Sequence, residues 1–254
     1  MMNLLKMDVN RFFTNKTMYV LLLVFMAFQI FGIFMHKQYE QPGTQGELLV
    51  SNMNESQFIQ MILSQTPSWI LIYIAVFTVY FYISEYNAGF HKNYFALKNA
   101  RRNSVISKIV ILGIFTMLMF FTMIMADLIG RSLFFQNAAI GDLGYFAKLL
   151  LGQFVLHWAF SVLLLYITML IKNAIPSIVT GMILGLNIIG MVLSALEALV
   201  SDTNFSSYLL VNTIVSSKDF NHTADVIHVF SVAIIFLVVF SFLAVTYKIR
   251  EDLR

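Results

Sequence analysis

The chain has 254 residues, of which 59% are hydrophobic and only 11% charged, with a formal net charge of +3. A soluble domain of this composition would expose one continuous apolar surface, so the solvent for most of the chain is lipid. With no cysteine there is neither a disulfide framework nor thiol chemistry. The excess of positive charge does not point to nucleic acid, because the basic residues are spread along the chain as orientation signals.

Residues 1–16 repeat apolar and polar positions at helical spacing. Met2, Leu5, Val9, Phe12 and Phe13 fall on one face, and Lys6, Asn10, Arg11 and Thr14 fall opposite. The pattern predicts a helix lying in the membrane interface, its basic side chains among anionic headgroups. A polar lead-in to the first span is the plainer alternative. A membrane-crossing helix needs roughly 20 apolar residues. Six stretches meet that need, at about 17–35, 67–84, 109–126, 149–171, 174–196 and 227–247. The first resembles a signal peptide, but no small-residue cleavage site follows it, so it reads as a retained span.

An even number of spans places both termini on one side, and charge chooses the side. With the termini inside, the inner segments hold twelve of the sixteen Lys/Arg, and the outer segments hold four. The inner side is therefore the cytoplasmic side. The expected fold is an all-α integral membrane protein: one transmembrane domain over 1–254, six transmembrane helices, both termini cytoplasmic. The expected location is a cell (plasma) membrane.

The segment 85–108, between the second and third spans, carries five Lys/Arg and one acid. It is long enough to form a surface helix that a soluble partner could grip. The tight Lys172–Asn173 turn joins the fourth and fifth spans, and Pro176 falls in the first turn of the fifth, where proline is tolerated. In that span Gly181-x-x-x-Gly185 lets helix backbones approach closely. A dimer face and packing within the chain both fit it. The segment 200–226 is expected outside, and its apolar middle, 205–215, could re-enter the membrane edge against protein.

Few groups could carry chemistry. No Asp, Glu, Lys or Arg lies near the middle of a span, where an ion-coupled carrier usually places one. His157 is the one deep titratable side chain, and a neutral histidine bonded across helices explains it. Asp127 and Arg131, four apart at the outer end of the third span, could pair on one helical face or line an outer gate. His222, Asp225 and His228 are three apart and drift around a helix, which is not the spacing of a zinc protease. No nucleotide-binding Gly-rich loop ending in Lys-Ser/Thr is present.

Six spans, a short basic amphipathic start and a basic inner loop after the second span resemble the permease subunit of type-2 ABC exporters (ABC-2 family). The nearest likeness is to the lantibiotic-immunity and peptide-export branch. The opening NLLKMDVNRFFTNKTMYVLLL is similar to openings there. So is the sequence of an acid, a glycine and a basic–Asn pair at Glu85, Gly89, Lys92 and Asn93, followed by Arg101, Arg102 and Lys108. The resemblance implies that 85–108 is a coupling helix docked on a separate ATP-binding cassette subunit. Glu85, Gly89, Lys92, Asn93, Arg101 and Arg102 would then form the coupling interface. It implies two permeases with two ATPases, a dimer contact through the first and fifth spans near Gly181 and Gly185, and no cofactor in this chain. ATP and Mg would belong to the partner. The cargo would be small amphipathic peptides of the phenol-soluble-modulin or lantibiotic kind, exported for secretion or self-immunity. A six-span membrane enzyme or sensor with no ATPase partner is the alternative from a different class.

Overall fold

A computed structural model describes residues 2–40, 49–90, 99–137, 139–200, 205–216 and 218–251. Every regular element among them is helical. In chain order these are α1 (Met2–Phe13), α2 (Lys16–Tyr39), α3 (Glu55–Leu63), α4 (Trp69–Asn87), α5 (Ala100–Phe134), α6 (Leu143–Ile171), α7 (Ala174–Gly185), α8 (Ile188–Val200), α9 (Leu210–Val215) and α10 (Thr223–Arg250). Single 3-10 turns at Val50–Asn52 and Phe205–Tyr208 complete the set.

Five of these helices, α2, α4, α5, α6 and α10, are long and apolar enough to cross a membrane. The pair α7 and α8 makes a sixth if it is counted as one span bent by 44°. The protein is thus a multi-helix protein of membrane character. The continuous fifth span expected over 174–196 is broken. Asn187 adopts a left-handed backbone, φ 55°, one residue after the α7 C-cap at Leu186. Asparagine tolerates that conformation better than most residues. At 12 residues, α7 alone spans roughly 18 Å, short of a bilayer core.

The third span is also longer than its apolar stretch. It begins at Ala100, not near 109, so Arg101, Arg102 and Lys108 ride on its first turns. Nothing in 100–108 breaks a helix, and Ser104, Ser107 and Lys108 form a buried face at three- and four-residue spacing. At 35 residues α5 is roughly 52 Å long, and it projects beyond any bilayer core.

The core runs through the centre of the bundle. Phe77 stacks on Phe115 with ring centroids 3.8 Å apart, and Phe12 of α1 meets Phe77 edge-on at 5.7 Å. α10 packs along α6, and α2 along α5. α4 packs on α7, where Gly181 and Gly185 are both buried. A Cβ at Gly181 would lie 2.8 Å from Ala75 Cβ and 2.9 Å from Leu164 Cδ2, so this glycine permits the contact of α7 with α4 and α6. The segment 205–215 folds into the 3-10 turn and α9, which rests on α6 and α10 with Leu210 and Ile214 buried.

Candidate functional site at the terminal end of the bundle

At one end of the bundle α1 and the end of α10 meet the described flanks of segment 85–108. α1 breaks at Thr14, and Asn15 caps the start of α2 by accepting from the Thr17 N–H at 2.9 Å. The break lets α1 dock across α5. Docking turns Arg11 and Asp8 inward. Arg11 lies with its guanidinium 3.9 Å from the Phe81 ring centroid and donates to Phe81 O at 2.6 Å. It also pairs with the Glu85 carboxylate. Lys108 Nζ, on the first turns of α5, sits 2.9 Å from the same carboxylate and 3.9 Å from Asp8. Arg11 and Asp8 are 3.7 Å apart. Two acids and two bases thus alternate in a cage, with Asp8, Glu85 and Lys108 all buried. Arg11 was expected among headgroups on the polar face of α1. Its pairing with Glu85 turns it toward the protein instead.

A second cluster lies beside this cage. Arg101 Nη1 donates to Ile249 O at 3.0 Å and Glu251 O at 2.9 Å. Glu251 receives Lys248 at 2.5 Å and Lys172 at 2.6 Å. Lys172 holds the left-handed turn between α6 and α7, φ 55°. Burial pushes the Glu251 carboxyl up, but hydrogen bonds from Lys172 and Lys248 outweigh it and hold the group below its usual range. The Glu251 bond raises Lys172 in turn. Tyr82, Tyr86 and Lys248 border the small space between the two clusters.

The segment 85–108 is therefore tied at both flanks: Glu85 to α1 and α5, and Arg101 to the end of α10. The residues singled out from the sequence divide accordingly. Glu85 and Arg101 face their own chain. Arg102 is exposed, as are Asn87, Phe90 and Asn99. Gly89 has φ +68° with open space around it, and its N–H bonds Tyr86 O, so it terminates α4 in a conformation that suits glycine. Lys92 and Asn93 lie outside the described residues.

At the opposite, loop end, Asp127 and Arg131 are both fully buried but take different partners. Arg131 Nη1 bonds Glu55 of α3 at 2.7 Å, and its Nη2 reaches Met53 O. Asp127 Oδ1 accepts from Gln29 Nε2 of α2 at 2.9 Å. The pairing of Asp127 with Arg131 expected on one helical face gives way to links between helices, because α3 brings a carboxylate to the Arg131 fork. Burial raises the Glu55 carboxyl above its ordinary range, against the opposing pull of Arg131. His157 Nδ1 lies 2.7 Å from Gln153 O, and its Nε2 is buried with no hydrogen-bond partner among the described residues.

His222, Asp225 and His228 are not brought together. His228 Nε2 meets Ser207 O at 3.1 Å, Asp225 pairs with Lys218 at 3.5 Å, and His222 faces Asp219 at 3.6 Å. Among the described residues no group of three His, Cys, Asp or Glu side chains is arranged to hold a metal ion.

Sequence reasoning passed over Asp8, Glu55, Gln29 and the Lys172–Glu251 contact. A signal existed for two of them. Asp8 is an acid inside a basic interfacial helix, and Glu55 follows the capping-box residue Asn54 of a short amphipathic helix. The class these features define is a helical, multi-pass type of membrane protein with buried ionic clusters at both ends. No protein-family model and no curated protein matches the chain.

Proposed function

We propose that the chain is the permease subunit of an ATP-driven exporter of the ABC-2 kind, moving small amphipathic peptides out of a bacterial cell with both termini cytoplasmic. The observation that carries this reading is the double anchorage of segment 85–108. A segment that receives force from a soluble motor must be tied stiffly to the helices it moves. Here the Glu85 cage joins it to α1 and α5, and Arg101 joins it to α10. Buried ionic contacts of this kind fix geometry even where they add little net stability. Phe90 and Arg102 are among the described side chains of the segment that face outward. An aromatic and a guanidinium suit a partner groove with an apolar floor and an acidic rim.

The ATP-binding subunit supplies ATP and Mg chemistry, and two copies of each subunit form the working assembly. The resemblance of residues 1–20 and 85–108 supports the peptide cargo, as does the lack of acidic or basic residues near midspan. An amphipathic peptide partitions into the interface by its apolar face and does not need a charged midplane site. Export serves secretion or self-immunity by the same physical act.

The test is purification of the tagged full-length chain from its own cells. An ATP-binding subunit should co-purify in equal amount, and amphipathic helical peptides should stimulate its ATPase rate. Arg102→Glu with Phe90→Ala should abolish co-purification while leaving thermal unfolding unchanged. Absence of any ATPase overturns the exporter reading. Full retention of the ATPase by the double variant overturns the docking surface alone, and a flat response to peptides overturns the cargo.

A further inference from the structure

α2 leans on α5 and meets α4 sparsely, which leaves a crevice between α2 and α4 at the loop end, roofed by the end of α3. It encloses about 100 Å³, with Phe25, Gln29 and Gly32 of α2 on one side, Leu63 and Trp69 on the other, and Met123 of α5 at its floor. Ser68, His36 and Gln65 add polar groups, and among the described residues no acid lines it. Asp127 is not a lining residue, and the Gln29 amide donates to it.

Ser68 is the unusual member. It occupies the N-cap of α4, where a serine hydroxyl ordinarily accepts from the first-turn N–H groups. Here the side chain makes no capping bond. The residue is 2% exposed, and its Oγ is buried without a hydrogen-bond partner among the described residues. The crevice is therefore lined by a residue with an unused hydroxyl, at a helix N-terminus that its side chain does not cap, and both can donate to an acceptor oxygen.

Depth identifies the source of that oxygen. α4 has 19 residues and so is roughly 28 Å long, the thickness of a bilayer core. Its first residue then sits where hydrocarbon gives way to lipid esters and phosphates. Trp69, 44% exposed, stands at that boundary as interfacial tryptophans do. Phe31 and Phe34 of α2 are also exposed, so the crevice opens beside lipid. The volume equals the share of about three waters. That admits a head-group oxygen and a few methylenes, not a turn of peptide.

We propose that this crevice binds one phospholipid of the adjoining leaflet. An ester or phosphate oxygen accepts from the Ser68 hydroxyl and the N-terminal N–H groups of α4. The upper part of one acyl chain lies against Phe25, Trp69 and Met123. The site stands apart from the export reading and holds whether or not an ATPase partner exists.

The experiment is native mass spectrometry of the full-length chain after detergent delipidation, with three variants. Gly32→Leu grows a side chain into the crevice from a position where a Cβ meets nothing within 4 Å. Ser68→Ala removes the donor, and Ser68→Thr keeps a hydroxyl at the same position. The wild type should retain one phospholipid per chain. Gly32→Leu should lose it, Ser68→Ala should weaken it about two- to tenfold, and Ser68→Thr should keep it. In a Trp158→Phe background Trp69 is the remaining tryptophan of the two. Brominated phospholipid should then quench Trp69 less in Gly32→Leu than in its parent. Equal retention in wild type, Gly32→Leu and Ser68→Ala overturns the site. So does recovery of a peptide, with no phospholipid, from the wild type.

Discussion

Replacement of Glu85 by alanine tests the cage at the terminal end most directly. The substitution leaves Lys108, 4% exposed, with Asp8 at 3.9 Å as its ion-pair partner. Arg11 keeps Phe81 O and a 3.7 Å contact with Asp8, and its side chain is 26% exposed, so water compensates part of its loss. Removing one partner of a buried ion pair costs about 3–5 kcal/mol. Partial exposure of Arg11 puts the cost at the lower end, about 3 kcal/mol. For a chain of this size that lowers Tm by about 6–12 °C. The assay is thermal unfolding in lipid nanodiscs. Adding Lys108→Met should recover part of the loss, because it removes the stranded charge. Arg102→Ala, at an exposed position near the start of the helix that carries Lys108, should stay within about 0.5 kcal/mol of wild type. If Glu85→Ala unfolds within about 2 °C of wild type, the cage carries no structural weight and the anchorage argument fails.

Other outcomes follow from the same geometry. Arg131→Met strands Glu55 among buried neighbours and should cost about 3–5 kcal/mol at pH 8. A carboxyl whose folded pKa is raised gives stability that is full below its unfolded pKa and is lost as pH rises through the folded value. Burial raises Glu55. The deficit of Arg131→Met should therefore shrink toward pH 5, and a deficit that does not change with pH counts against the assignment. Gly181→Val should cost about 1–3 kcal/mol by overpacking against Ala75 and Leu164. Gly185→Ala, whose Cβ would stand 3.4 Å from Leu71 Cβ, should be near neutral in the same unfolding assay. The attachment of the chain end through Lys172 and Glu251 should persist across neutral pH. The lowered Glu251 loses its contribution as pH falls through its folded value, below the ordinary 4.5, and the raised Lys172 loses its own as pH rises above 10.5. Hydrogen-exchange protection around residue 248, corrected for intrinsic rate, reads both limits. Release already at pH 6 would contradict the contact.

The sequence alone determined that this is a helical membrane protein and roughly where its apolar helices run. That information is local: hydropathy summed over about twenty residues is a property of a stretch, whatever packs against it. It also gave the amphipathic α1 and the tight turn at Lys172–Asn173, for the same reason. Helix ends were less legible. The start of α5 at Ala100 depends on a buried Ser104–Ser107–Lys108 face that forms only when α1 and α4 pack there. The break at Asn187 depends on one residue's backbone.

Partners were least legible, because they are set by distance through space. Asp127 and Arg131 share a helix face in sequence, yet Gln29 and Glu55 claim them from elements 98 and 76 residues away. Glu85 reads as one acid in a basic loop, and only the docking of α1, which brings Arg11 from 74 residues away, makes it the centre of a cage. Ser68 reads as an ordinary helix cap. Only the tertiary structure shows its hydroxyl unused beside a crevice, since neither a hydrogen bond that fails to form nor a gap between two helices is written in any single stretch of chain.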